Sequence, residues 1–269
     1  MFFVVKVSEK KINLILILSA ICALVIVIII IVSITMILKT NILGKVNKKL
    51  GIRKKYNEES LIETEKKWAE KLLKGGYILH FRHAERDKWI DVQMYDALES
   101  DVHDKGINQS RMAEEDYFGD AVCLNERGLI QAKAMGELLA WINLPIGFVI
   151  SSPSCRARQT ANLAFDGYDQ LKRILVHVGP YLEKKNDRIN KLKDFYLKLP
   201  TEKNKNTIIS SHNSVIQKEM FDEVKLIGFN QKFKLEQGGF FIISNENNRL
   251  VLEYKFHNFR EFTKNFFPR

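Results

Sequence analysis

Two arginines and two histidines stand at the ends of short apolar runs in this chain. Tyr77-Ile78-Leu79 leads into Phe81-Arg82-His83-Ala84-Glu85-Arg86. Phe148-Val149-Ile150 leads into Ser151-Ser152-Pro153-Ser154-Cys155-Arg156-Ala157, and Thr207-Ile208-Ile209 leads into Ser210-Ser211-His212-Asn213. A guanidinium bonds two phosphate oxygens at once and does not deprotonate. A neutral imidazole is a competent nucleophile near pH 7, because its unperturbed pKa is about 6.5. These groups together suit the holding of a phosphate while an imidazole attacks the phosphorus. A second His, when protonated, donates to an equatorial oxygen, and the leaving alkoxide requires a carboxylic acid nearby.

These residues must be brought together by the elements that carry them. The spacing predicts a helix over 58–73 stopped by Gly75-Gly76, and strands over 77–81, 148–150, 174–178 and 207–211. Asn125 reads as the N-cap of a helix carrying Leu129, Ala132, Met135, Leu138 and Leu139. Pro153 opens a helix with Ala157, Ala161 and Leu163; another covers 187–199 up to Pro200, and a further one starts at Val215. Segments 240–244 and 250–256 flank a polar turn and predict a hairpin. Alternating strands and helices imply an α/β three-layer sandwich, a mostly parallel sheet flanked by helices. The reactive residues then fall at strand ends, where such sheets place their ligand crevices. Residues 88–120 are polar, mixed in charge and aperiodic, an insertion with the character of a lid.

Four motifs, Arg82-His83 after a strand, Leu124-Asn125-Glu126-Arg127-Gly128 with Gln131-Ala132, Ser152-Pro153 with Arg156-Ala157 and Gln159-Thr160-Ala161, and Ser211-His212, occur in that order. In this they resemble the histidine phosphatase superfamily, with the phosphoglycerate mutase-like fold, over about residues 77–256. The resemblance implies that His83 is a nucleophile forming phosphohistidine. It implies that Arg82, Arg156 and His212 complete the phosphate pocket, and that a proton donor follows the third strand. Glu183 is the first candidate donor and Asp187 the second; Arg86 extends the substrate site. Ala84-Glu85-Arg86 stands where many mutases carry another pattern, and Arg-His-Ala-Glu-Arg is similar to the lipopolysaccharide core heptose phosphatases. The implied activity is metal-independent hydrolysis of a phosphomonoester, with no cofactor. The substrate class stays open among small molecules, envelope glycolipids and proteins. A non-catalytic phospho-ligand-binding module and a phosphotransferase or mutase remain as alternatives.

Other reactive side chains have plainer readings. His80 and His83 are three apart, and odd separations on a strand point to opposite faces, which disfavours a metal pair. Arg158 lies two positions from Arg156 and reads as a surface residue of the helix. A surface ion pair between Glu85 and Arg86 is the alternative to a substrate-binding Arg86. Cys155 lies beside the pocket with no base partner visible and reads as a filler; a single Cys123–Cys155 bridge is compatible with the spacing, while no dense disulfide framework exists. The net charge of +10 is partly a juxtamembrane Lys cluster, and no nucleic-acid-binding motif accompanies it.

Residues 14–38 carry no charge and are mostly Ile, Leu and Val. As a helix they would run roughly 37 Å at about 1.5 Å per residue, enough to span a bilayer core of about 30 Å. The run is longer than a signal-peptide core and lacks a small-x-small site, so an uncleaved single-pass anchor in membrane lipid is expected. Lys and Arg are in excess after the span, from Lys39 to Lys55, which places the catalytic domain on the cytoplasmic side. The expected organisation is a tail and span (1–38), a basic linker and helix (39–74), and a phosphatase-like domain (75–269).

Overall fold

The computed structural model describes residues 33, 35–36, 58–87, 122–176, 185–225 and 233–267 of the 269-residue chain. By internal packing the chain divides into two units, Met1–Leu61 and Ile62–Arg269. The expected insertion at 88–120, and the candidate donor Glu183, lie outside the described residues. So does the expected span at 14–38, apart from the helical residues Ser33, Thr35 and Met36. Among the described residues, no helix is long and apolar enough to cross a membrane.

The described strands are β1 (Ile78–Arg82), β2 (Ile146–Ser151), β3 (Gln170–Leu171), β4 (Asn206–Ser211), β5 (Glu223–Val224), β6 (Phe240–Glu246) and β7 (Arg249–Phe256). They form one mixed sheet in the order β3-β2-β4-β1-β6-β7-β5. The β3-β2-β4-β1 block is parallel, and β6 joins β1 and β7 antiparallel. The described helices are α1 (Glu58–Leu72), α2 (Glu126–Trp141), α3 (Cys155–Ala164), α4 (Lys185–Leu197) and α5 (Phe259–Thr263).

Alternation along the strands divides the core in two. Leu79 and Phe81 of β1 face a cluster with Trp68, Met135, Leu139, Phe240, Phe256 and Phe262. Ile78 faces the other side, with Ile150, Leu192, Tyr196, Ile209 and Phe241. Helices therefore cover both faces of the sheet. Helix α1 contributes Trp68, Ala69 and Leu72 to the first cluster, and Trp68 stacks on Tyr254 at 6.1 Å.

Local signals shape the boundaries. Helix α1 ends where Gly75 and Gly76 take φ of 79° and 92°, a left-handed region that suits glycine. Asn125 caps α2, its side chain accepting from Gly128 N at 2.8 Å. The β6–β7 turn places Asn247 and Asn248 at φ of 52° and 62°, as a tight hairpin turn demands.

Two expected elements differ. Of the strand expected over 174–178, residues 177 and 178 lie outside the described residues; the part before them falls in a 3-10 turn at Arg173–Leu175, and the edge strand lies earlier, at Gln170–Leu171. Residues 169–172 already take up the free edge of β2: Asp169 N donates to Val149 O, Val149 N donates to the Asp169 carboxylate, and Lys172 N donates to Ser151 O. The helix expected from Val215 is reduced to 3-10 turns at Asn213–Val215 and Lys218–Met220. Asn213 is committed to the Phe233 and Leu235 backbone, and Gln217 Nε2 donates to Ser214 O. Such side-chain bonds compete with a helical ladder.

Candidate active site

The parallel pairing of β1 and β4 puts His83 beside His212. Arg82 is in register with Ser211, and His83 N donates to Ser211 O at 2.9 Å immediately past that pair. The two imidazoles stand 5.3 Å apart, centroid to centroid, inclined at 64°. On the other side of β4, Ser151 is in register with Ser210, and Ser152 N donates to Ser210 O at 2.9 Å. The chain then turns through Pro153 into α3, whose second residue is Arg156. Three adjacent parallel strands thus end at one point, where the chain order makes β4 the strand inserted between β2 and β1. This is the crevice position of open α/β sheets.

His83 is nearly wholly buried. Its Nδ1 lies 2.7 Å from Ala84 O. A carbonyl only accepts, so Nδ1 carries the proton and Nε2 of the neutral ring carries the lone pair. Burial, then the Arg156 and Arg82 charges, hold His83 well below the usual imidazole range, and the Arg86 charge acts in the same sense. The ring is therefore neutral at physiological pH.

The expected pocket residues gather around it. Arg156 is almost fully buried; Nη1 donates to Val122 O at 3.2 Å, and Nη2 donates to His212 Nδ1 at 3.4 Å. His212 consequently presents Nδ1 as an acceptor, and its Nε2–H donates to Ser154 Oγ at 3.0 Å, with Ser152 Oγ at 3.2 Å. Arg82 Nη1 donates to Leu235 O at 2.6 Å; burial, then the Arg156 charge, lower its pKa from the ordinary arginine value. Arg86 is half-buried, Nη1 donating to Asp87 O at 2.6 Å. Asp187 is exposed in the first turn of α4.

Several side chains have roles not read from the sequence. Ala84 N donates to Thr160 Oγ1 at 3.0 Å, while that hydroxyl donates to Arg156 O at 2.7 Å, so Thr160 ties the loop after His83 to the helix of Arg156. Glu85 N donates to Gln131 Oε1 at 2.9 Å, and Leu124 N donates to Gln159 Oε1 at 2.7 Å. Gln131, Gln159 and Thr160 were visible only as parts of motifs; their partners are distant in sequence. Ser152 and Ser154 were visible only as loop residues.

Three plainer readings change. Arg158 is buried, and its Nε donates to Pro153 O at 3.0 Å, bracing the turn that carries Ser152 and Ser154. Glu85 pairs with Arg127 at 2.5 Å, where Arg86 was the alternative partner. Cys155 is bridged to Cys123 and buried. The bridge holds the chain next to Val122, whose carbonyl receives Arg156. Among the described residues, no group of three or more His, Cys, Asp or Glu is placed to hold a metal ion.

Comparison with known proteins finds one family profile over part of the chain. Residues 78–177 match the profile of the histidine phosphatase superfamily (branch 1), and these residues carry Arg82, His83 and Arg156. Among solved structures, the protein histidine phosphatase SixA with tungstate aligns at 13% identity and a TM-score of 0.42, over 66% of this chain and 95% of that one. A phosphoserine phosphatase variant from Entamoeba histolytica with phosphoserine aligns at 15% identity and a TM-score of 0.41, over 70% of this chain and 98% of that one. No match was found among curated proteins. Similarity to the heptose phosphatases is not among these findings.

Proposed function

We propose that the chain is a phosphomonoesterase of the histidine phosphatase superfamily, acting through a phosphohistidine on His83. One observation carries the reading: a neutral His83, its Nδ1–H tied to Ala84 O at 2.7 Å, sits against Arg82, Arg156 and His212. That tautomer directs the Nε2 lone pair at an incoming phosphorus. Arg82 and Arg156 bind phosphate oxygens, and their fixed charge stabilises the transition state. His212, when protonated on Nδ1 as well, supplies a further N–H to an equatorial oxygen.

In the first step, His83 Nε2 bonds to phosphorus while the ester oxygen departs and takes a proton from a carboxylic acid. In the second, water attacks the phosphohistidine, the carboxylate takes its proton, and inorganic phosphate leaves. Glu183 is the assigned donor, with Asp187 second. Arg86, three residues after His83, reaches for a second anionic group on the substrate. The chemistry needs no metal, because guanidinium and imidazole supply the positive field.

Residues 14–38 are assigned as a lipid-spanning tether, which makes a phosphate on a lipid-linked, envelope or membrane-protein substrate the first choice. Two signals bear on the side of the membrane. The Lys and Arg excess after residue 38 favours the cytoplasm. The Cys123–Cys155 bridge favours an oxidising compartment. Protease digestion of intact cells decides between them: a protected domain supports the cytoplasm, and a digested one supports the opposite side.

The enzymatic reading is tested on the full chain with p-nitrophenyl phosphate. Turnover, with acid-labile phosphate trapped on His83 and lost in His83→Ala, is expected. Vanadate binding without turnover would replace the enzyme by a phospho-ligand-binding module. Transfer to an added alcohol in preference to water would make it a phosphotransferase.

A further inference from the structure

We infer that His80 and Tyr196 form a positioning pair that sets the backbone of His212, and through it the His212 imidazole. The inference rests on the phosphate-pocket reading above and assigns no role in it to His80 itself.

His80 is fully buried on β1, on the face opposite Leu79 and Phe81. Its Nε2 lies 3.0 Å from His212 O, and its Nδ1 lies 2.6 Å from the Tyr196 hydroxyl on α4. The carbonyl only accepts, so the proton is on Nε2. In the neutral ring Nδ1 is then an acceptor, and Tyr196 must donate to it. Hydrogen bonds run one way, from Tyr196 Oη to His80 Nδ1 and from His80 Nε2 to His212 O, and each group has a single role. Burial lowers His80 to about 4 and raises Tyr196 well above the usual phenol value, so both stay neutral around pH 7.

The same carbonyl also accepts from Val215 N at 3.3 Å. The peptide after His212 is thus gripped from two sides, while its ring reaches Ser154, Ser152 and Arg156. A buried imidazole and phenol are costly choices where aliphatic side chains would fill the same space. What they supply, and a leucine cannot, is a donor at a defined point against His212 O. Misplacement of a catalytic group by about 1 Å costs up to about 100-fold in rate, which is the scale on which such a grip acts.

The test uses the full chain as wild type, His80→Leu, His80→Gln, His80→Asn and Tyr196→Phe. It measures p-nitrophenyl phosphate turnover, orthovanadate affinity and the imidazole 15N spectra of His80 and His212. In the wild type His80 is expected to carry its proton on Nε2. His80→Leu should lower kcat and vanadate affinity by about 10- to 100-fold and shift the His212 ring signals. His80→Gln, with an amide nitrogen where Nε2 stood, should recover most of both. His80→Asn, one bond shorter and aimed at Tyr196, should not. Tyr196→Phe should leave His80 with mixed tautomers and a lower kcat. The pair is refuted if His80→Leu matches the wild type, if Leu and Gln lose equally, or if His80 carries its proton on Nδ1. Should the His80 variants fail to fold, the wild-type spectrum and Tyr196→Phe decide alone; an unchanged kcat and a single tautomer in that variant refute the pair. A wild type that binds vanadate without turnover would sink the phosphatase reading only, since vanadate affinities and spectra still judge the pair.

Discussion

His83 depends on neighbours of two kinds. Ala84 O selects its tautomer, and burial, with the guanidiniums of Arg156 and Arg82, keeps it neutral. Arg156 is the more exacting residue, because one planar fork must meet Val122 O, His212 and an incoming phosphate. Lysine offers a point charge without the fork. Arg156→Lys is therefore expected to lower kcat/KM for p-nitrophenyl phosphate by about 100-fold, on the scale of one lost transition-state donor, while the melting temperature moves little. Retained kcat/KM would show that the fork does not touch the substrate. For the proton donor the leaving group is the probe. Glu183→Gln should slow alkyl phosphates much more than p-nitrophenyl phosphate, because nitrophenolate departs without an acid. Equal slowing of both would remove Glu183 from the role.

At the scale of elements, the site depends on how closely α2 approaches the loop after His83. Asn125 N donates to Glu85 O at 3.3 Å, and an added Cβ at Gly128 would stand 1.9 Å from that same oxygen. Only a glycine permits the approach. Gly128→Ala is expected to destabilise the domain by about 1–3 kcal/mol, an overpacking cost, and to depress kcat by shifting Glu85 and Ala84. Chemical denaturation measures the first and steady-state kinetics the second. A variant with unchanged midpoint and kcat would mean that the loop relaxes freely. Thr160 and Gln131 act at this scale too, since each fastens one peptide N–H of the loop to a neighbouring helix.

Across the whole molecule, two buried neutral histidines bear on acid stability. Burial lowers His80 to about 4, and burial with the arginine charges holds His83 well below the ordinary imidazole value. Both return to about 6.5 when the chain unfolds. The unfolded state then binds more protons at low pH, so the stability these rings permit is whole above about pH 6.5 and lost as pH falls towards their folded values. For His80 alone the loss is on the order of 3 kcal/mol by pH 4. Melting temperature should fall from pH 7 to pH 4.5, and His80→Gln should flatten that slope. A pH-independent melting temperature over this range would contradict the buried neutral state.

The sequence by itself determined the layered α/β class, the strand-end placement of Arg82, His83, Arg156 and His212, the Asn125 cap and the late hairpin. Each of these follows from local rules: side-chain period, glycine and asparagine at left-handed positions, and the preference of a helix start for a capping oxygen. Tertiary structure decided what depends on partners far along the chain. It put β4 between β2 and β1, and that alone sets His212 against both His83 and Arg156. It buried Arg158, joined Cys123 to Cys155, and turned 173–175 away from a strand because the edge of β2 was already taken. The partner of His80 was likewise invisible, since Tyr196 approaches only when α4 covers its face of the sheet. Local propensity specifies which backbone bonds a segment makes with itself; contacts between distant segments are selected by the packing of the complete core.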